Sequence, residues 1–362
     1  MSTAFTYEQL PQRVVFGAGR RRQLADEVDR FGRHVFLVSD GAAKETADEL
    51  AEALGDRVAL RWDDVVQHVP VDLAERARVA ATRSEADAIV CVGGGSSTGL
   101  AKAIALTHRL PIIAVPTTYA GSEQTTIYGL TGDRHKQTGR DPDVLPKVVI
   151  YDPELTLGLP TGVTGPSSFN ALAHAVEALY APGHNPVTSA LALDGVRAIR
   201  VSLPRVMEHP GDLDARSTLL YGAYLSGMAL GATSAGLHHK LSHVLGGTFN
   251  LVHADTHSVL LPHAVAFNAP ALPDEMARLA DALDASGGDA AGALWDLAVA
   301  SHVPTSLADL GLRRDELSEA AERAAGEITD NPRPFTADDL LDLLQRAFDG
   351  QRPDQRQGGA SP

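Results

Sequence analysis

The chain has 362 residues, 44% hydrophobic and 21% charged, an ordinary balance for a globular protein long enough to form two domains with well-buried cores. A formal net charge of −15 excludes a general affinity for nucleic acid, whose backbone selects basic surfaces, although a local cluster of Arg and Lys still suits a small anion. The single cysteine, Cys91 in an apolar run, excludes an intramolecular disulfide and reads as a small core residue. The N-terminal residues carry no basic region followed by an apolar stretch, and no segment runs eighteen apolar residues unbroken. The expected location is therefore the cytoplasm.

Through residues 1–160, short β-branched runs alternate with helical stretches. Residues 14–16 read as an edge or flanking strand, and 34–39, 58–60, 88–92 and 112–115 as strands. Helical periodicity lies between them at 41–54, 71–82 and 98–107, and 147–151 is a further flanking strand. That order predicts a parallel sheet with crossover helices. After Pro160 the texture changes to long Ala/Leu-rich segments at 167–180, 186–203, 213–230, 235–246, 273–283, 290–300, 314–326 and 336–348, so residues 161–348 are expected to form a helical domain. The tail 349–362, rich in Gln, Gly, Arg and Pro, has nothing to bury and is expected to be disordered.

Two stretches of the first half suggest a nucleotide. Gly93-Gly94-Gly95-Ser96-Ser97 follows a buried strand and opens a helix. Glycine there lets the backbone approach a phosphate closely, and the amides of the helix N-terminus favour negative charge; a tight turn alone would use the same glycines. Asp40 ends the strand 34–39, where a carboxylate accepts from ribose hydroxyls and repels a 2′-phosphate, so NADH is expected over NADPH. Its structural alternative is a helix N-cap before Gly-Ala-Ala-Lys-Glu. The next strand ends in Pro116-Thr117-Thr118-Tyr119-Ala120-Gly121-Ser122-Glu123, hydroxyls and glycines that suit either a ligand cleft or a structural turn.

The second half carries the chemistry-bearing residues. Asn170 and His174 are four apart, as are His239 and His243, and His253 follows ten residues later. Four-residue spacing puts two side chains on one helix face. These residues are expected to build one site, in which imidazole ligates a divalent metal, donates to a developing oxyanion or passes a proton near neutral pH.

Taken in order, the Gly-Gly-Gly-Ser loop, Pro-Thr-Thr-Tyr-Ala-Gly-Ser-Glu, the helix with His174 and the His239/His243/His253 set resemble the iron-type alcohol dehydrogenase superfamily. Gly-Gly-Gly-Ser-Ser-Thr-Gly-Leu-Ala-Lys at 93–102, Thr-Gly-Arg-Asp-Pro at 138–142, Asn-Ala-Leu-Ala-His-Ala-Val-Glu-Ala-Leu-Tyr-Ala at 170–181 and His-Ala-Asp-Thr-His at 253–257 are similar to its maleylacetate reductase branch. The similarity runs from about Phe5 to Phe348. It implies an α/β plus all-α protein: an N-terminal Rossmann-like dinucleotide-binding domain, a C-terminal helical domain, the architecture shared with dehydroquinate synthase-like proteins, and an active cleft between the two. By position, NAD would lie on Gly94, Gly95, Ser96, Thr117, Thr118 and Ser122, with Asp40 at the adenosine ribose. The family's metal positions, for Fe²⁺ or Zn²⁺, fall on Asn170, His174, His239 and His253, and His243 matches the histidine beside the nicotinamide. A homodimer is also implied.

One departure separates this chain from the metal-dependent alcohol dehydrogenases, which carry Asp where Asn170 stands. A neutral amide removes an anionic ligand and weakens metal binding, while three histidines still suffice to hold an ion. The branch implies reduction of maleylacetate, a dianion with a C=C bond conjugated to a ketone, to 3-oxoadipate in aromatic-compound catabolism. That reaction needs hydride on the alkene carbon, stabilisation of the enolate by His239 and His253, and a proton, for which His243 is the candidate. The carboxylates need cations, and the charged loop 132–140 offers Lys136 and Arg140, with Arg134 better read as solvated. Lys240 also fits the family pattern, and Asp255 and His257 either shape substrate choice or pack a helix terminus. The competing readings are an iron-type alcohol dehydrogenase reducing an aldehyde, which Asn170 opposes, and a non-catalytic NADH-binding protein, which leaves the five polar residues without a purpose.

Overall fold

The structure is a computed structural model that describes residues 4–132 and 135–354, apart from the side chains of 135 and 136. Its residues gather into two compact units. One comprises Gln9–Leu159 with Gly211–Leu220; the other comprises Pro160–Pro210 and the chain from Tyr221 onward, joined by the first residues as far as Glu8.

In the first unit the chain runs through β1 (Arg13–Phe16), α1 (Leu24–Val28), β2 (Val35–Ser39), α2 (Lys44–Leu54), β3 (Val58–Trp62), α3 (Val71–Arg83), β4 (Ala88–Gly93), α4 (Gly95–His108), β5 (Ile112–Pro116), β6 (Ile127–Gly132), β7 (His135–Arg140) and β8 (Val148–Tyr151). Six strands form one sheet in the order β1-β8-β5-β4-β2-β3, with every pairing parallel. The strands β2, β4, β5 and β8 are buried along their whole length, which is why they read as near-continuous apolar runs. Leu37, Val90, Val92, Ile113 and Val115 pack with Ala47, Leu50 and Leu54 of α2. Cys91 is buried in β4 as a free thiol, and burial pushes its pKa up to about 12.

β2 leads to β3 on one side and β4 leads to β5 on the other. Their adjacent C-terminal ends therefore form a topological switch point, the place where open α/β sheets bind ligands. Asp40 follows one of these strands, and Gly93 and Gly94 close the other.

Three expectations for this region change. The stretch 147–151 was expected to flank the sheet, but β8 lies inside it between β1 and β5, and only β1 and β3 are edges. The charged stretch 132–140, read as a loop, supplies one strand of an antiparallel hairpin whose register runs from Ile127 opposite Arg140 to Gly132 opposite His135. A two-stranded ribbon outside the main sheet does not need an apolar face, so its polar sequence gave no strand signal. Residues 211–220, expected among the helices, belong with the sheet because Arg216 is fully buried there. Its guanidinium donates to the Tyr119 hydroxyl and to the Leu159 carbonyl, each at 3.1 Å.

The remaining helices are α5 (Thr161–Glu177), α6 (Pro186–Glu208), α7 (Leu213–Gly231), α8 (Leu237–Phe249), α9 (His253–Asn268), α10 (Pro273–Ala282), α11 (Ala290–Ala300), α12 (Leu317–Glu327) and α13 (Ala337–Phe348). α6 begins with a capping box in which Asn185 accepts from the amides of Val187 and Thr188, and Pro186 takes the first helical position. α8 ends at Asn250 in the left-handed conformation, φ 58°, a residue type suited to that cap. Leu241, Val244 and Leu245 of α8 form a core with Val259, Leu260 and Ala264 of α9 and with Leu340, Leu343 and Leu344 of α13. Each fully buried Leu or Val contributes roughly 1.5–3 kcal/mol.

α9 had no counterpart in the sequence reading. Its apolar residues Val259, Leu260, Leu261, Ala264 and Val265 are all buried and leave no polar stripe, and Pro262 sits inside it. Without an amphipathic period the segment has no helical signature. The tail differs as well: Arg352 pairs with Asp296 at 2.8 Å and Asp289 at 3.2 Å, and Pro353 is buried. These contacts place the stretch up to Asp354, where disorder was expected; residues 355–362 lie outside the described residues. Among the described residues, no helix is long and apolar enough to cross a membrane.

Candidate functional site

Three helices of the second unit bring the histidines together. α5 presents Asn170, His174 and Glu177 at intervals of four and three residues, along one face. α8 carries His238, His239 and His243, and α9 carries His253 and His257. The rings of His174 and His239 stack with centroids 5.1 Å apart. His257 lies 4.8 Å from His239, 4.7 Å from His238 and 4.2 Å from His253. His243 and His253 stack at 5.9 Å. His174, His238, His239 and His257 are buried, whereas His243 and His253 are half-buried. The centre thus has a dry interior and a more accessible stacked pair.

Glu177 organises the interior. Its Oε2 accepts from the Gly236 amide at 2.8 Å and from His239 Nδ1 at 2.5 Å, and its Oε1 accepts from the His238 amide at 2.8 Å. A β-carbon on Gly236 would lie 2.8 Å from Glu177 Oε1, so only glycine lets the start of α8 approach this carboxylate. His238 Nε2 donates to the His257 carbonyl at 3.0 Å. Burial pushes His174 and His257 well below the ordinary imidazole range, with neighbouring histidines adding to the effect, and holds His238 at about 4. For Glu177, burial acts upward but the attraction of His239 prevails, so its pKa is lowered. Three imidazoles of the centre, His174, His238 and His257, are thus held neutral beside one carboxylate.

Among the described residues, the ligand atoms brought within 4.8 Å of one another belong to Glu177, His238 and His239. Of the implied metal set, His239 alone is in that trio. Both oxygens of Glu177 are already engaged, so the trio is an imidazole support of the kind that orients ligands. The implied set itself suits a divalent ion in donor type. His174 Nδ1 and His239 Nε2 are buried without a hydrogen-bond partner in the protein, and such nitrogens fit an ion or a substrate oxygen. Asn170, buried at the family's acidic position, contributes no charge.

The first unit holds the candidate nucleotide site at the switch point. Gly93 has φ +138°, and a β-carbon there would lie 2.4 Å from Ser97 Oγ and 2.7 Å from Asp40 Oδ2. Gly94 packs so closely on Thr118 that its β-carbon would meet Thr118 at 3.1 Å. Gly94 caps α4 without a side-chain hydrogen bond, which leaves the first-turn amides of Gly95 and Ser96 for an anion. The Thr117 amide donates to the Gly93 carbonyl at 3.0 Å and ties β5 to β4. Asp40 caps the turn after β2, accepting from the Ala43 amide at 2.9 Å, and its other oxygen accepts from Ser97 Oγ at 3.0 Å.

Lys102 supports the same loop from beneath. It is fully buried, with Nζ 2.7 Å from the carbonyls of Ser122 and Ile127 and 2.8 Å from that of Thr125. Burial lowers its pKa to about 7, against the pull of Glu123. It thereby fixes the turn that carries Ser122.

Not every implied residue joins these two groups. Arg140 is exposed on β7 and pairs in register with Ile127, Lys136 sits opposite Thr131 in the same hairpin, and Arg134 lies outside the described residues. Lys240 and Asp255 are half-buried on α8 and α9, where burial raises the Asp255 pKa. Glu177, His238, Ser97 and Lys102 had received no role. For Glu177 a signal existed, since it lies three residues after His174 on a helix that already carried two site residues. Lys102 offered none, because a lysine inside Leu-Ala-Lys-Ala-Ile looks like a solvent-facing residue.

Comparison with known proteins agrees with this geometry. The model of iron-containing alcohol dehydrogenase matches residues 11–153, and that of the Fe-containing alcohol dehydrogenase family, C-terminal, matches residues 164–348. A maleylacetate reductase from Burkholderia cepacia is 50% identical over 97% of this chain and 99% of its own length. One from Sphingobium indicum is 48% identical over 96% and 99%. The crystal structure of maleylacetate reductase from Agrobacterium tumefaciens superposes with a TM-score of 0.92 at 46% identity, covering 97% of this chain and 100% of that one. With both halves matched in order and a parallel-sheet unit joined to a helical one, the chain belongs to the iron-containing alcohol dehydrogenase family and is an NAD(P)H-dependent oxidoreductase.

Proposed function

We propose that this chain reduces the carbon–carbon double bond of maleylacetate to give 3-oxoadipate, with NADH as the hydride donor. The observation that carries the reading is the near-full-length likeness to enzymes named maleylacetate reductase. Asn170 supports it, because a neutral amide at that position removes the charge that a tightly held catalytic metal needs.

When bound, NADH would supply the hydride, which the alkene carbon β to the ketone receives. The double bond's electrons then move to the ketone oxygen as an enolate, which collapses when a proton reaches the α carbon. His253 stabilises the enolate oxygen, to which His239 would contribute through a bound cation, and His243, half-buried and stacked on His253, delivers the proton. Because His174, His238 and His257 are held neutral, they add no competing charge to the pocket. A divalent ion would be held by His174, His239 and His253 beside Asn170, and when bound would supply Lewis-acid polarisation of the ketone oxygen. The cofactor would rest on Gly94, Gly95, Ser96, Thr117, Thr118 and Ser122. Asp40 accepts from the adenosine ribose and disfavours a 2′-phosphate. The cations proposed for the carboxylates are Arg140 and Lys136, the side chain of the latter lying outside the described residues. A homodimer and a cytoplasmic location belong to the same reading.

The test follows NADH absorbance with maleylacetate generated in situ, beside a panel of simple aldehydes, each with and without a chelator. Oxidation by maleylacetate that survives chelation is the expected result. Activity on aldehydes alone, lost on chelation, would instead make the chain a metal-dependent alcohol dehydrogenase.

A further inference from the structure

Glu177 is the fully buried carboxylate of the histidine centre. Two backbone amides, from Gly236 and His238, fix its position at the start of α8, and Gly236 permits the approach by having no β-carbon. So held, it reaches one side-chain atom, His239 Nδ1. A carboxylate only accepts, so the ring nitrogen it faces carries the proton. The opposite nitrogen, His239 Nε2, is buried without a protein partner, on a ring stacked against His174.

We infer that Glu177 is a positioning residue that fixes His239 as the Nδ1–H tautomer, so that Nε2 presents a lone pair to the reaction. A free imidazole would populate both tautomers, and its ring would turn about the Cβ–Cγ bond. Three hydrogen bonds on one carboxylate remove both freedoms. The consequence is chemical: held as the Nδ1–H tautomer, His239 offers the substrate a proton acceptor or a cation ligand at Nε2, and any hydrogen bond donated to the ketone oxygen has to come from another group of the centre. His238 is fixed the same way by the His257 carbonyl, with Nε2 as its donor. Two adjacent histidines are thus locked with opposite nitrogens protonated. This inference rests on reading the histidine centre as the place where maleylacetate is reduced.

The experiment labels histidine rings with 13C and 15N in the full-length protein and reads the His239 tautomer by NMR, the signal assigned by its loss in H239A. Maleylacetate turnover with NADH is measured alongside. The wild type is expected to show Nδ1–H. In E177A the acceptor at Nδ1 is gone, so the ring is expected to populate the Nε2–H form as well, and kcat falls by roughly 10- to 100-fold while KM for NADH stays within about twofold. E177D, which keeps the charge, is expected to restore the Nδ1–H form and part of kcat. On an H239A background, E177A is expected to cost nothing further. An Nε2–H signal in the wild type, a tautomer unmoved by E177A, or losses that add in the double variant would each overturn the inference. The wild-type spectrum decides the matter even if a variant does not fold. It also decides when no maleylacetate is reduced, an outcome that sinks the proposed reaction and leaves the tautomer to be read by itself.

Discussion

Replacing Gly93 by Ala tests the nucleotide loop more sharply than any polar substitution, because the structure fixes the cost in advance. The residue has φ +138°, a region that L side chains rarely adopt, and strain of that kind costs about 1–3 kcal/mol. The new β-carbon would lie 2.4 Å from Ser97 Oγ and 2.7 Å from Asp40 Oδ2. Neither neighbour retreats freely: Ser97 is fully buried on α4, and the other oxygen of Asp40 already accepts from Ala43. The contact at 3.0 Å between Ser97 and Asp40 therefore breaks, and losing a hydrogen bond to a charged group costs roughly 1.5–3 kcal/mol. Together these predict a loss of about 2.5–6 kcal/mol for G93A. Urea unfolding followed by the fluorescence of Trp62, on β3 of the same sheet, measures it, with G41A as the control. A β-carbon at Gly41 meets nothing within 4 Å, and its effect should stay within about 0.5 kcal/mol. With Asp40 displaced, KM for NADH should also rise roughly tenfold in G93A, equivalent to about 1.4 kcal/mol. If G93A matched G41A in stability, the strained turn and the Ser97–Asp40 bridge would not be what holds this loop.

Other outcomes follow from the same geometry. Asn170→Asp restores a negative charge beside His174 and should raise zinc retention through dialysis by at least roughly tenfold, read by elemental analysis; equal metal content in both proteins would remove Asn170 as the reason for weak binding. Asp40→Gly should move the NADH/NADPH ratio of kcat/KM toward NADPH, and an unchanged ratio would leave Asp40 as a cap and nothing more. His243→Ala should lower kcat by about 10²–10⁴ if it delivers the proton, whereas unchanged kcat and pH profile would take it out of that role. In metal-free protein, His174, His238 and His257 have folded pKa values below their unfolded ones, so the unfolded state binds more protons in between. Their contribution to stability is complete above about pH 6.5 and is lost as pH falls toward the folded values, about 4 for His238; a urea midpoint that stays flat between those limits would contradict the burial of neutral rings.

What the sequence disclosed was what depends on periodicity and on groups with few other uses. The buried strands β2, β4 and β5 announced themselves as apolar runs, and the spacing of Asn170 and His174 placed two candidate site residues on one face of a helix. α9 stayed hidden because a helix buried on all sides has no polar stripe to set its period. The strand β7 stayed hidden for the converse reason, since its sequence His-Lys-Gln-Thr-Gly-Arg carries no apolar side chain.

The support beneath each site was illegible for a more general cause. Glu177 and Lys102 act by what they reach, an imidazole and two amides in one case, three carbonyls in the other, and those partners come from chain positions at least 20 residues away. A carboxylate or an ammonium in a helical sequence defaults to the solvent-facing reading, because burial without partners costs several kcal/mol. Only the fold supplies the partners that reverse that cost. Candidate ligand groups can therefore be proposed from spacing and type, while the groups that hold them, Glu177 beneath His239 among them, become visible only with the tertiary contacts.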